Sequence, residues 1–113
     1  MTDLPRLLFV DDEPSFLHLV EVYFEWGGYA SVHATSDPQE ACRIAGEIHP
    51  DYIFIDTVMP GIDGDNLARD LKAQAQNAML VSLSGLMRET AWADVSLLKS
   101  GEVLEEIRNL ITS

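Results

Sequence analysis

Acidic, hydroxyl and amine side chains follow short apolar segments along this chain. Asp11 and Asp12 follow one apolar run and Asp56 follows another, while Ser84 and Lys99 close two more. Carboxylates crowded at short range cannot all stay ionised without compensation, and Mg²⁺ is a hard cation that takes carboxylate, water and phosphoryl oxygens. An aspartate beside such a cation can attack phosphorus and form an aspartyl-phosphate. These residue types therefore fit phosphoryl transfer.

Three of these side chains have distinct predicted roles in that reaction. Asp56 is the predicted phosphoryl acceptor. Lys99 would place a fixed ammonium beside one phosphoryl oxygen, and the Ser84 hydroxyl would hydrogen-bond another. Read singly, each residue also has a plainer interpretation, such as a helix cap, a turn residue or a surface lysine. The chemistry requires that all of them meet at one place in the fold.

The elements that would bring them together are apolar segments alternating with amphipathic ones. Strands that are apolar throughout, separated by amphipathic helices, indicate a parallel sheet covered on both faces, so the predicted class is a doubly wound α/β fold. In such sheets the reactive groups gather beyond the carboxyl ends of the strands. Strands are predicted over residues 6–10, 29–34, 52–55, 79–83 and 97–98, and helices over about 14–26, 37–48, 66–76 and 101–111.

Two helices carry detailed predictions. In the second, Asp37 is the predicted cap, Pro38 suits the first helical position, and Glu40 would complete a capping box. In the first, the residues predicted to face inward at helical spacing are Phe16, Leu19, Val20, Tyr23 and Phe24.

Composition limits the classes of function. The chain has 113 residues, 47% of them hydrophobic, and a net charge of −12. We expect one domain, residues 1–113, located in the cytoplasm. So acidic a surface repels phosphodiester backbones and anionic membranes, so we expect neither direct nucleic-acid binding nor membrane binding. Cys42 is the single cysteine, so no internal disulfide can form, and it is expected to be a small packed residue.

Four sequence blocks resemble, in order and spacing, the receiver domain of two-component response regulators. The resemblance covers essentially the whole chain and implies a five-stranded sheet in the order 2-1-3-4-5. The blocks are Val10-Asp11-Asp12-Glu13-Pro14, Ile55-Asp56-Thr57-Val58-Met59-Pro60-Gly61-Ile62-Asp63-Gly64, Ser82-Leu83-Ser84-Gly85 and Leu98-Lys99.

The resemblance also implies a function. A phosphohistidine on a partner histidine kinase or histidine phosphotransfer protein would supply the phosphoryl group to Asp56, and a downstream protein would receive the signal. Mg²⁺ would be bound by Asp12 and Asp56, with Asp11 helping directly or through water and the backbone carbonyl of Val58 completing the ligands. Such a domain catalyses only its own phosphorylation and dephosphorylation, and it stands alone, as a single-domain regulator or phosphorelay intermediate, or forms part of a longer regulator.

The chain departs from the family pattern beside Lys99. Ser96 stands where the family has an aromatic switch residue, and Ser100 stands where it has a proline, so a cis peptide bond is not expected there. The segment 86–95 leaves room for only a short fourth helix or none. We therefore expect output through another surface, beside the first helix. Trp92 is expected to fill the gap left by that helix, although an exposed contact role is the alternative.

Two other functions compete with phosphoryl acceptance. A degenerate receiver would bind partners without phosphorylation, which Ser96, Ser100 and the shortened segment favour and the retained acids oppose. A phosphatase would need an acid two residues after its nucleophile, and that position is Val58. An apolar side chain there cannot orient a hydrolytic water, so we expect a persistent phosphoryl-aspartate.

Overall fold

Five strands, all of them parallel, form a single sheet in the order β2-β1-β3-β4-β5. The computed structural model describes residues 3–86 and 90–113. The predicted strand order and fold class are confirmed. The strands are β1 (Arg6–Val10), β2 (Ser31–Thr35), β3 (Tyr52–Asp56), β4 (Met79–Ser84) and β5 (Val95–Leu98).

Helices cover both faces of this sheet. They are α1 (Pro14–Val20), which continues as a π-helical segment (Glu21–Trp26), then α2 (Pro38–Ile48), α3 (Gly64–Gln74) and α4 (Val103–Thr112). Helix α3 begins two residues earlier than predicted because the Asp63 carboxylate accepts hydrogen bonds from the backbone N–H groups of Asp65 and Asn66. That cap satisfies donors that the first turn of a helix leaves free.

The core has two halves, one on each face of the sheet. On one face, Leu8, Ile53 and Leu80 pack with α2 and α3. On the other, Phe9 and Phe54 stack with ring centroids 4.5 Å apart, in a cluster that α1 and α4 cover. Because the central strands β1, β3 and β4 are buried almost throughout, the sheet holds the strand ends in a fixed register at one edge.

The first helix differs from the prediction in two ways. Leu19 was predicted to face inward, but it is 49% exposed. The buried residues are Phe16, Val20 and Phe24. The wider turn of the π-helical segment returns Phe24 to the line of the other two, whereas Leu19 falls outside that line.

The start of α2 partly matches its prediction. The Asp37 side chain caps the helix by accepting from the Gln39 N–H, as predicted. The capping box is wrong, because the Asp37 N–H donates to Thr35 Oγ1 at 3.1 Å, leaving no role for Glu40 there. Glu40 pairs instead with Arg43 across the exposed face of the helix.

The connection between β4 and β5 has no helix in residues 85–86 and 90–94. Residues 87–89, which also belong to the predicted short segment, lie outside the described residues. Trp92 is partly buried against the core that α2 and α3 share, which agrees with the expectation that it fills the gap. Cys42 packs against the same core, as expected. Among the described helices, none has the length and apolarity that a membrane span requires.

Candidate functional site

Three aspartates meet where β1 and β3 end side by side. Strand β1 pairs with β3 from Leu7 through Val10, so the residues that follow β1 lie next to the end of β3. One carboxylate oxygen from each of Asp11, Asp12 and Asp56 lies within 4.8 Å of the others. Asp11 and Asp56 are buried, whereas Asp12 is exposed. The three acids that the sequence singles out thus form one cluster.

Lys99 reaches this cluster from the end of β5. Its Nζ lies 2.7 Å from Asp11 Oδ2 and 2.7 Å from Glu13 Oε1. Asp56 Oδ2 is farther away, at 3.8 Å, and the centre of the Phe16 ring lies 4.4 Å from the ammonium. The ammonium is therefore held on the β1 side of the site, next to the predicted phosphoryl acceptor.

The electrostatics of the cluster depend on this lysine. Burial raises the pKa of the Asp56 carboxyl above its usual value, and the charges of Asp11 and Asp12 raise it further. Burial likewise raises the pKa of Asp11, despite the hydrogen bond from Lys99. For Lys99, burial acts to lower the pKa, but hydrogen bonds to Asp11 and Glu13 raise it overall. The site therefore carries negative charge that one ammonium does not fully offset, which favours a bound cation.

Ser84 and Val58 line the same edge. Ser84 is buried at the end of β4, its hydroxyl oxygen accepts from the Leu86 N–H at 3.2 Å, and its carbonyl accepts from the Lys99 N–H at 2.6 Å. The Val58 N–H donates to Asp56 Oδ1 at 3.0 Å, while the Val58 side chain is 61% exposed. The backbone thus fixes one oxygen of Asp56 and ties Lys99 to Ser84.

The donor set suits Mg²⁺. Three carboxylate oxygens at short range are hard ligands, and the exposed side of Asp12 leaves room for the waters that Mg²⁺ retains. Asp11, Asp12 and Asp56 would hold the ion, which would neutralise charge on a transferred phosphoryl group. The role of the Val58 carbonyl as a ligand stays a prediction.

Ser96 and Ser100, the two residues near Lys99 that differ from the family pattern, are both defined in the structure. Ser96 is exposed on β5, and its hydroxyl oxygen accepts a hydrogen bond from Ser82 Oγ at 2.8 Å. Ser96 therefore pairs with a neighbouring strand at the position where the family has an aromatic switch residue. The peptide bond between Lys99 and Ser100 is trans.

Sequence reasoning missed two residues that contact Lys99. Glu13 stands in the acidic block and Phe16 on the predicted inward face of α1, but neither was predicted to contact Lys99. Their contact with Lys99 joins residues far apart in the chain, 86 positions for Glu13. One local signal was present: glutamate at a helix N-cap is unusual, because short polar side chains are preferred there.

A family model for the response regulator receiver domain matches residues 7–101. Among curated proteins, the DNA-binding dual master transcriptional regulator RpaA of Synechocystis is 31% identical over 75 residues, which are 66% of this chain and 31% of RpaA. The chain thus spans only about a third of the length of the curated relatives it matches first.

Solved structures agree with that match. The response regulator TrrA of Thermotoga maritima, in complex with Mg²⁺-BeF, is 25% identical, with a TM-score of 0.77 over 95% of this chain and 99% of TrrA. Chemotaxis protein CheY4 of Vibrio cholerae shares the fold at 23% identity, with a TM-score of 0.81 over 96% of this chain and 98% of CheY4. With the acids, lysine and serine at one sheet edge, the chain belongs to the response regulator receiver domain family of two-component signalling.

Proposed function

We propose that this chain accepts a phosphoryl group on Asp56 from a phosphohistidine, with Mg²⁺ bound by the neighbouring acids. The observation that carries the proposal is the position of Asp56 within the aspartate cluster and beside Lys99. Asp56 Oδ2 lies 3.8 Å from the ammonium, while Oδ1 accepts a hydrogen bond from the Val58 N–H. The oxygen that faces Lys99 is the nucleophile in this proposal.

The chemical step is a displacement at phosphorus. As the bond from Asp56 Oδ2 to phosphorus forms, the phosphorus–nitrogen bond of the donor histidine breaks, and the departing imidazole nitrogen takes up a proton. Lys99 offers an ammonium N–H to a phosphoryl oxygen, and the Ser84 hydroxyl can donate to another once it turns toward the group. Bound Mg²⁺ supplies charge neutralisation for the transferred group.

The chain would not be a turnover enzyme. It would catalyse only its own phosphorylation and the later hydrolysis of the aspartyl-phosphate. Val58 stands where a phosphatase would carry an acid, and its side chain has no group that could activate water. The product is therefore a modified protein, which suits a signal.

The partners are a histidine kinase or histidine phosphotransfer protein as the donor and a downstream protein as the target. Receiver domains generally work with such donors, and we place this one in the cytoplasm. Because the relatives are about three times longer than the matched segment, the chain corresponds to their receiver portion. The output would depend on contacts that this domain makes when phosphorylated.

Intact-mass measurement tests the proposal. The protein is incubated with Mg²⁺ and acetyl phosphate or phosphoramidate, beside Asp56→Asn and a sample containing EDTA. We expect the mass of one phosphoryl group on the wild-type protein and none on Asp56→Asn or without Mg²⁺. If a folded, Mg²⁺-loaded wild-type protein gains no mass even from a cognate phosphohistidine donor, the degenerate receiver replaces this proposal.

A further inference from the structure

Lys99 is held by two carboxylates, neither of which belongs to the predicted phosphoryl acceptor. Its Nζ lies 2.7 Å from both Asp11 Oδ2 and Glu13 Oε1, but 3.8 Å from Asp56 Oδ2. A lysine ammonium has three N–H donors, and here one of them donates to Glu13 Oε1 while the contact with Asp11 Oδ2 is an ion pair. The Phe16 ring also lies 4.4 Å from the ammonium. In this state Lys99 is turned toward β1 and α1.

The two partners of Lys99 differ in what else they can do. Asp11 belongs to the acidic cluster, its side chain is 1% exposed, and a bound cation would offset its charge. The Glu13 side chain is 58% exposed and lies outside the three-aspartate cluster. A cation bound by the aspartates would leave the pair between Glu13 and Lys99 in place.

Glu13 occupies a position where its side chain has no local function. It is the N-cap residue of α1, but its carboxylate makes no capping hydrogen bond. Its backbone is fixed, since its N–H donates to Asp11 Oδ1 at 2.9 Å and its carbonyl accepts from Phe16 and Leu17. The side chain instead forms an ion pair with Lys99, so α1 lacks the capping hydrogen bond that an N-cap side chain often provides.

We propose that Glu13 is a positioning residue, which holds the Lys99 ammonium away from Asp56 in the unphosphorylated domain and competes with the phosphoryl group for it. Phosphorylation would move one Lys99 N–H from Glu13 to a phosphoryl oxygen, and Glu13 would be left facing solvent. Glu13 thereby sets how readily Lys99 serves the phosphorylated state. The inference deepens the proposed function and rests on it.

The test compares Glu13→Gln with Glu21→Gln, a matched control that changes net charge equally from an exposed position at the start of the π-helical segment that follows α1. The first readout is the carboxyl carbon chemical shift of Asp56 in metal-free protein, measured by NMR. We expect this shift to move in Glu13→Gln as Lys99 approaches Asp56, and to stay at its wild-type value in Glu21→Gln. In a Lys99→Met background, Glu13→Gln should have no further effect.

The second readout is the affinity for beryllofluoride, which stands in for the phosphoryl group on a carboxylate, measured with Mg²⁺ by calorimetry. Glu13→Gln should bind it about two- to fivefold more tightly than wild type, the range that a partly exposed ion pair represents. Glu21→Gln should match the wild type. The melting temperatures of both variants should stay close to that of the wild type, which excludes a purely structural effect.

Failure of the inference differs from failure of the proposed function. If the Asp56 signal and the beryllofluoride affinity of Glu13→Gln equal those of Glu21→Gln, Glu13 does not position Lys99 and the inference is wrong. If the Asp56 signal moves as expected but the wild-type protein gains no phosphoryl mass, Glu13 positions Lys99 in a domain that is not phosphorylated. The competition between Glu13 and the phosphoryl group is then overturned together with the proposed function.

Discussion

Negative charge at the edge of the sheet exceeds the positive charge that the chain supplies there. Asp11 and Asp56 are buried beside each other and beside Asp12, and Lys99 is the cation among them. Burial raises the pKa of both buried aspartates, so their ionised forms are less favourable in the metal-free fold than in the unfolded chain. Such a site lowers the stability of the fold until a cation, or a phosphoryl group with its cation, binds there. Functional sites commonly reduce stability in this way.

The pH dependence of stability follows from this shift. Because the pKa of Asp56 is higher in the folded than in the unfolded chain, its contribution is favourable at acidic pH and is lost as pH rises through the folded-state value. Asp56→Asn removes that loss. We expect metal-free Asp56→Asn to melt at a higher temperature than the wild type at pH 7, with the difference shrinking near pH 4. Scanning calorimetry in EDTA checks this, and equal melting temperatures at both pH values would contradict it.

The lifetime of the phosphorylated state depends on Val58. Its side chain is 61% exposed at the mouth of the site and has no polar atom to orient water. We expect Val58→Asn to shorten the half-life of the aspartyl-phosphate about tenfold, since one added hydrogen bond to the attacking water is worth roughly 1.4 kcal/mol.

Decay of the phosphorylated mass after removal of the donor measures this half-life. Val58→Ala is the control, because it removes apolar volume without adding a polar group. A wild-type half-life of only seconds would contradict the persistence predicted here.

At the scale of elements, each helix is positioned by contacts at its ends and by the face that it buries. Helix α2 begins where the Asp37 side chain accepts from the Gln39 N–H, and the turn before it is held by Thr35. Between β4 and β5, residues 85–86 and 90–94 contain no helix, and Trp92 covers part of the exposed core. The expectation that output uses another surface stays a prediction.

The two acids at the start of α2 should differ in their contributions to stability. Asp37→Ala loses the cap and should lower the free energy of unfolding by about 1 kcal/mol. Glu40→Ala should cost no more than about 0.5 kcal/mol, because its contact is an exposed pair with Arg43. Urea unfolding measures both. If Glu40→Ala lowers the free energy of unfolding as much as Asp37→Ala does, Glu40 takes part in a capping box after all.

Trp92 should contribute more to stability than the other tryptophan. Trp92 packs against the core, whereas Trp26 is 74% exposed. Trp92→Ala should destabilise the fold by about 2 kcal/mol, less than full burial would give, while Trp26→Ala should change it by less than about 0.5 kcal/mol. Chemical denaturation of the two variants decides this. Equal small effects would assign Trp92 to an exposed contact role.

At the scale of the whole molecule, the net negative charge disfavours direct binding of this domain to nucleic acid. A net charge of −12 on 113 residues repels nucleic acid, although RpaA, whose name describes it as DNA-binding, is a relative. The match to RpaA covers 31% of that protein, so its DNA-binding activity does not transfer to this segment. The same charge favours a divalent cation at the cluster of Asp11, Asp12 and Asp56.

Mg²⁺ should therefore stabilise the folded domain through its site. Ligand binding to the native state alone contributes about 2.7 kcal/mol when the ligand is a hundredfold above its dissociation constant. We expect a rise of several degrees in melting temperature with saturating MgCl₂, measured against NaCl at equal ionic strength. Asp12→Asn should lose most of that rise, and Asp70→Asn, an exposed acid on α3, should retain it. Equal rises in both variants would indicate general screening instead of a site.

Much of this protein was determined by patterns local in the sequence. Continuous apolar runs such as residues 52–55 identify buried strands, because a strand covered on both faces has no polar side to alternate with. The residues that follow them, Asp11, Asp12 and Asp56, then had to meet at the carboxyl edge of a parallel sheet. The order of the four family blocks identified the receiver fold, and the structure brings the predicted site residues together.

The tertiary structure alone decided the contacts between segments distant in the chain. Lys99 pairs with Glu13, 86 residues away, and such a choice depends on the relative positions of strand ends and helix starts. Thr35 replaces Glu40 as the partner of the Asp37 N–H, a local contact two residues back in the chain that the capping-box pattern does not distinguish. Leu19 satisfies helical spacing but is exposed, because the π-helical turn after α1 changes which residues face the sheet. Periodicity is a local property, whereas side-chain partners are set by how the packed elements meet.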